Sequence, residues 1–151
     1  MNASLEYAAC ALVIGTGATV VMDIAGIAIR SIWGIPTPSY ALVGRWVAYV
    51  MQGRFGGEPI TASTPIRGER YIGWATHYAV GVAFAGVLLL LWGVQWVRDP
   101  TPAPALIVGV GTLIFPFLVM QPGMGAGIAA SRTPNPRVSR LRSLLNHGLF
   151  G

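Results

Sequence analysis

Between Arg70 and Arg98 the chain carries no formally charged residue, and the run from Ile72 to Val97 is almost wholly apolar. About 20 apolar residues suffice to cross the hydrocarbon core of a bilayer, so this stretch is predicted to be a transmembrane helix. It opens on three charges in four positions, from Arg67 to Arg70, and carries His77 with a glycine four positions to either side, Gly73 and Gly81. At helical spacing Glu69, Gly73, His77, Gly81 and Ala85 form one small and polar face. Leu88 to Leu91 then face lipid or a packed neighbour, and Trp92 and Trp96 suit the aromatic belt of the far interface.

The rest of the composition agrees. Of 151 residues 54% are hydrophobic and only 10% charged, against about 25% charged in ordinary soluble domains. Lipid is therefore the expected main solvent, and residues 1–151 are read as a single integral membrane domain. The predicted fold is an all-α polytopic helix bundle with three spans, over about 5–29, 72–97 and 104–124. A helix over 40–52 is too short to span and suits an interfacial or re-entrant position, with Ser39 as its N-cap. A C-terminal helix over 136–151, capped by Asn135 with Pro136 in its first turn, either lies at the interface or begins a fourth span. Pro116 and Pro122 should kink or break the third span, and Gly123, Gly125 and Gly127 make a closely packed or flexible stretch behind it. Cys10 stands alone, so neither an intrachain disulfide nor a thiolate metal cluster is available. The N-terminus lacks a basic region and carries Glu6, which argues against a cleaved leader; too few apolar residues precede Cys10 for a lipoprotein site.

Within the first span Gly15, Thr19, Asp23, Gly26 and Arg30 share a face, and small residues on one stripe admit a neighbouring helix. A carboxylate as deep as Asp23 must face protein, water or a partner. A helix-packing ion pair and a ligand or proton role both answer that requirement. All ten basic residues are arginine. Five fall between Arg30 and Arg70 and four from Arg132 onward, while the link after the second span has only Arg98. The positive-inside rule makes the arginine-rich side cytoplasmic and the N-terminus external. That orientation gathers Asp23, His77, Gln121, Arg132, Asn135 and His147 toward the cytoplasmic leaflet as candidates for a ligand or proton site. Arg45, Arg70 and Arg140 are the candidates for headgroup or anion contacts. No aromatic-basic platform accompanies the charge, so the pI near 10.2 is assigned to membrane lipids with anionic headgroups and not to nucleic acid.

Taken in order, TVVMD, YALVGRW, GRF, GERYIGWATHYAVG, MQPGMGAG and SRTPNPRVSRLRSLLNHGLFG resemble a bacterial family of small inner-membrane proteins known as domain of unknown function 2938. The resemblance covers nearly the whole chain. It implies a four-helix protein of the bacterial inner (cytoplasmic) membrane, with a last helix continuing past the point where this chain stops, and it implies no reaction and no cofactor.

Three functional readings follow. The polar residues bind or translocate a small, anionic ligand or protons, since intramembrane ionisable groups mark such pathways and histidine titrates near neutrality. Alternatively the small-residue faces dock other helices, in a homo-oligomer or as an accessory subunit of a larger membrane complex. Least supported is a metal-dependent enzyme built on Asp23, His77 and His147, which have no local ligand spacing. No nucleophile elbow, phosphate loop, HExxH motif or catalytic carboxylate pair is present.

Overall fold

The computed structural model describes residues 2–56 and 58–151. Among them the fold is all-helical, built from α1 (Ala3–Trp33), α2 (Tyr40–Met51), α3 (Glu69–Trp92), α4 (Pro102–Gly111) and α5 (Pro136–Phe150). Three helical stretches are long and apolar enough to cross a bilayer: Ala3–Trp33, Glu69–Trp92 and Pro102–Gly123, of 31, 24 and 22 residues.

The helix ends follow local chemistry. Asn2 caps α1, its side-chain oxygen accepting from the Ser4 N–H at 3.3 Å. Nothing breaks the helix at Arg30, so it runs to Gly34. That glycine adopts a left-handed φ of 66° and donates its N–H to the Arg30 carbonyl, the geometry only glycine adopts cheaply. Ser39 occupies the N-cap of α2 but makes no side-chain capping bond. The second span starts at Glu69, earlier than predicted, and stops at Trp92 instead of Val97. Gly93 turns out of the helix with φ 77°, and Val94–Val97 form a separate 3₁₀ turn.

The third span breaks as its prolines require. Pro116 lacks an N–H and its ring crowds the carbonyl four residues back. Accordingly α4 ends at Gly111, a turn fills residues 112–113, and Pro116–Met120 wind as a π-helical turn. Its register shows in the Gln121 N–H bonding to the Pro116 carbonyl. Asn135 caps α5, accepting from the Val138 N–H at 3.4 Å.

The chain divides into two compact units. One comprises Met1–Thr37, Tyr78–Thr112 and Leu145–Gly151; the other comprises Pro38–His77 and Leu113–Leu144. In the first unit α1 and α3 run antiparallel along their small residues. Tyr7 meets Gly86, Gly15 meets Val82, Thr19 meets Gly81 and Asp23 meets Tyr78. A β-carbon on Gly15 would stand 2.5 Å from Val82 Cα, and one on Gly81 would overlap Thr19 Oγ1. Ala11, Gly15 and Thr19 form the buried stripe of α1, while Leu12, Val13, Val20, Val21, Ile24 and Ile27 are exposed on the other side. On α3 Ala85, Leu88 and Leu89 are buried and Leu90 and Leu91 exposed. The end of α5 lies antiparallel along α4: Gly109 abuts the His147 carbonyl and Gly151, and Gly151 abuts the Ala105 carbonyl. These α5 residues are thus level with the first turns of the third apolar helix.

In the second unit α2 crosses the first turns of α3 backbone to backbone. A β-carbon on Gly44 would overlap the Glu69 carbonyl, and one on Gly73 the Tyr40 carbonyl. The loop after α2 is tied down by the Ile60 N–H, which donates to the Met124 carbonyl at 3.0 Å.

These contacts separate two glycines of α1 that look alike in sequence. Gly15→Val overpacks a backbone contact and should cost about 1–3 kcal/mol. Gly17→Ala meets nothing within 4 Å and should stabilise by up to about 1 kcal/mol through helix propensity. Thermal unfolding in detergent micelles checks the contrast.

Candidate functional site

Six polar positions in the apolar helices and their connections need partners, because an unpaired polar group in this setting is costly. Asp23 and His147 belong to the first unit; His77, Gln121, Arg132 and Asn135 belong to the second.

Asp23 Oδ2 accepts from the Tyr78 hydroxyl at 3.2 Å. One helical turn earlier, Thr19 is only 1% exposed, and its hydroxyl donates to the Gly15 carbonyl at 2.7 Å. His147 is held from α4. Its Nδ1 lies 3.1 Å from the Gly109 carbonyl oxygen and 3.1 Å from Thr112 Oγ1, while the Thr112 hydroxyl donates to the same carbonyl at 2.7 Å. A carbonyl oxygen can only accept, so the bond to Gly109 requires the hydrogen on Nδ1. The neutral ring therefore presents Nε2 as a lone pair. Such a backbone-fixed tautomer is the arrangement that makes an imidazole a ready proton acceptor or ligand. Phe84 lies beside it at 6.2 Å between ring centroids, and packs edge-on with Phe150 at the same separation.

In the second unit His77 Nε2 is 3.0 Å from the Tyr40 hydroxyl, and the two rings stack at 4.2 Å. Trp74 stands edge-on to His77 at 5.8 Å. Gln121 follows the π-helical turn and donates from Nε2 to Ser143 Oγ at 3.2 Å. Arg132 is exposed. Asn135 spends its side chain on the α5 cap. Among the candidates for headgroup contact, Arg70 is exposed, and exposed Arg140 donates from Nε to the Ala129 carbonyl at 2.7 Å.

Arg45 is placed differently. It is 7% exposed and pairs bidentately with Glu69, Nε to Oε2 at 2.8 Å and Nη2 to Oε1 at 2.9 Å. Its Nη1 donates to the carbonyls of Ser63 at 2.9 Å and Ile60 at 3.3 Å. Glu69 Oε2 also accepts from the Ile66 N–H at 2.9 Å. The hydrogen bond to the Glu69 carboxylate raises the guanidinium pKa above its ordinary value despite opposing burial. The guanidinium is thus committed to holding α2, the loop and the start of α3. The sequence signal for this pair was Gly44 beside Arg45 and Gly73 one turn after Glu69: the close glycine crossing places the two charges side by side.

Among the described residues no group of three or more His, Cys, Asp or Glu is placed to hold a metal ion.

A family model described as protein of unknown function (DUF2938) matches residues 12–151. The chain belongs to this family. No curated protein and no solved structure matches it.

The Arg45–Glu69 pair has a directional consequence. Arg45→Met and Glu69→Met each strand a charge and should lower the thermal midpoint, whereas the double replacement should lose less than the two single losses together. Arg45→Lys should also destabilise, because an ammonium cannot make the two parallel bonds. Midpoints in one detergent decide it.

Proposed function

We propose that this DUF2938 protein resides in the bacterial inner membrane, N-terminus outside, and binds or moves protons together with a small anionic solute, with His147 as proton acceptor. The observation that carries this reading is the placement of His147 Nδ1, 3.1 Å from both the Gly109 carbonyl oxygen and Thr112 Oγ1, which assigns the hydrogen to Nδ1 and the lone pair to Nε2. Asp23 with Tyr78 supplies a second titratable group in the same unit. The orientation is supported by the arginine distribution.

The test is proton flux in proteoliposomes containing a trapped pH dye. Wild-type protein should dissipate an imposed pH gradient faster than protein-free vesicles, and His147→Gln should lower that excess by about a hundredfold or more, in the range of general acid–base contributions. Equal flux from the wild type and His147→Gln would contradict the assignment.

A second reading, an accessory subunit, draws on the exposed apolar side of α1 and on the open space over Gly17, where a partner helix could approach. A stoichiometric complex retained in mild detergent would favour it; a stable assembly of this chain alone would favour the first.

A further inference from the structure

Charge is divided unevenly between the two units. Eight of the ten arginines belong to the second unit, against two of the five carboxylates, Glu58 and Glu69. Glu69 is spent on Arg45, which leaves seven arginines against one carboxylate. All seven are exposed. The guanidinium groups of Arg67, Arg70, Arg132, Arg137 and Arg142 make no hydrogen bond or ion pair among the described residues.

The seven come from two segments far apart in sequence, 54–70 and 132–142, and the backbone joins them. The Ile60 N–H donates to the Met124 carbonyl at 3.0 Å, and a β-carbon on Gly125 would stand 2.7 Å from Pro59 Cα. Arg132 folds back onto the same turn, its N–H donating to the Ala126 carbonyl at 2.8 Å. Arg140 reaches it from α5 through Nε and the Ala129 carbonyl. The two segments thus share a border.

Like charges gathered in this way repel one another, a cost that bound anions relieve. Guanidinium groups suit phosphate, which they hold through parallel N–H bonds. The arginines are also interleaved with exposed apolar side chains. Phe55 follows Arg54 at 72% exposure, Tyr71 follows Arg70 at 80%, and Leu141 at 55% lies between Arg140 and Arg142. Tyr71 stands in the first turn of the apolar helix Glu69–Trp92, the level at which aromatic side chains meet headgroups. Basic and apolar groups side by side match a lipid, which offers phosphate above acyl chains, better than a soluble polyanion, which offers charge alone. We infer that the exposed arginines of the second unit, from both segments together, form one docking surface for anionic phospholipid. The inference shares only the membrane location with the proposed function. The surface contains neither His147 nor its partners, so either assignment can fail without the other.

Titration of phosphatidylglycerol into the detergent-solubilised protein, followed by its thermal midpoint, tests the surface. Phosphatidylglycerol should raise the midpoint, and phosphatidylcholine at the same concentration should not. Near an anionic surface each arginine adds about fivefold in affinity. Arg67→Gln with Arg70→Gln, and separately Arg137→Gln with Arg142→Gln, should each raise the phosphatidylglycerol concentration at half effect by roughly twentyfold. Arg98→Gln, in the first unit beside Glu6, should leave it at the wild-type value. Should a variant fail to fold, salt gives a second reading on the wild type, where added sodium chloride should weaken the phosphatidylglycerol effect. An equal rise with phosphatidylcholine or with polyglutamate as a soluble polyanion would overturn the proposal. So would an unchanged titration for either second-unit pair, or indifference to salt.

Discussion

Glycine carbonyls are the acceptors on which the first unit depends. The carbonyl of Gly15 takes the Thr19 hydroxyl, that of Gly86 takes the Tyr7 hydroxyl at 2.5 Å, and that of Gly109 takes both Thr112 and His147. For Tyr7 and His147, which reach across from another helix, the physical reason is shared. A position without a β-carbon lets a neighbouring helix come close, and the same opening lets a side chain reach a backbone oxygen. Close approach and polar satisfaction, the two demands of a helix pair in lipid, are met at the same residues. The second unit answers them with charge. Gly44 and Gly73 bring α2 onto α3, and Arg45 and Glu69 close over the contact while collecting the carbonyls and N–H of the loop between the helices.

Much of this was legible in the sequence. The spacing of Gly15, Thr19 and Asp23 on one helix, and of Gly81 and Ala85 on another, marked the faces that meet, because small residues four apart have few other uses in an apolar helix. The interruption near Pro116 was equally readable, since proline removes a defined hydrogen bond. The break at Gly93 was not. LLLLWGVQWV stays apolar on both sides of the glycine, and only a backbone angle distinguishes a helix that ends there from one that continues.

The candidate site was legible as a set of residues and illegible as a set of partners. Arg45 looked like a headgroup contact because an isolated arginine in a short amphipathic helix usually is one; its pairing with Glu69 depends on the crossing register of two helices. Asn135 was readable both as a cap and as a ligand, and its side chain makes the cap. His147 stood out only as a histidine near the chain's end. Its meaning comes from α5 running along α4, which brings it to Thr112 and Gly109 across a separation that no local pattern encodes.

The proposed role of His147 therefore rests on one hydrogen. If Gly109 fixes His147 as argued, nitrogen NMR of histidine-labelled protein near neutral pH in a bilayer will show the His147 ring with a protonated Nδ1 and an unprotonated Nε2. A spectrum with the hydrogen on Nε2 would contradict it, because the nitrogen facing the Gly109 carbonyl would then have no hydrogen to give and the lone pair would lie on Nδ1 instead.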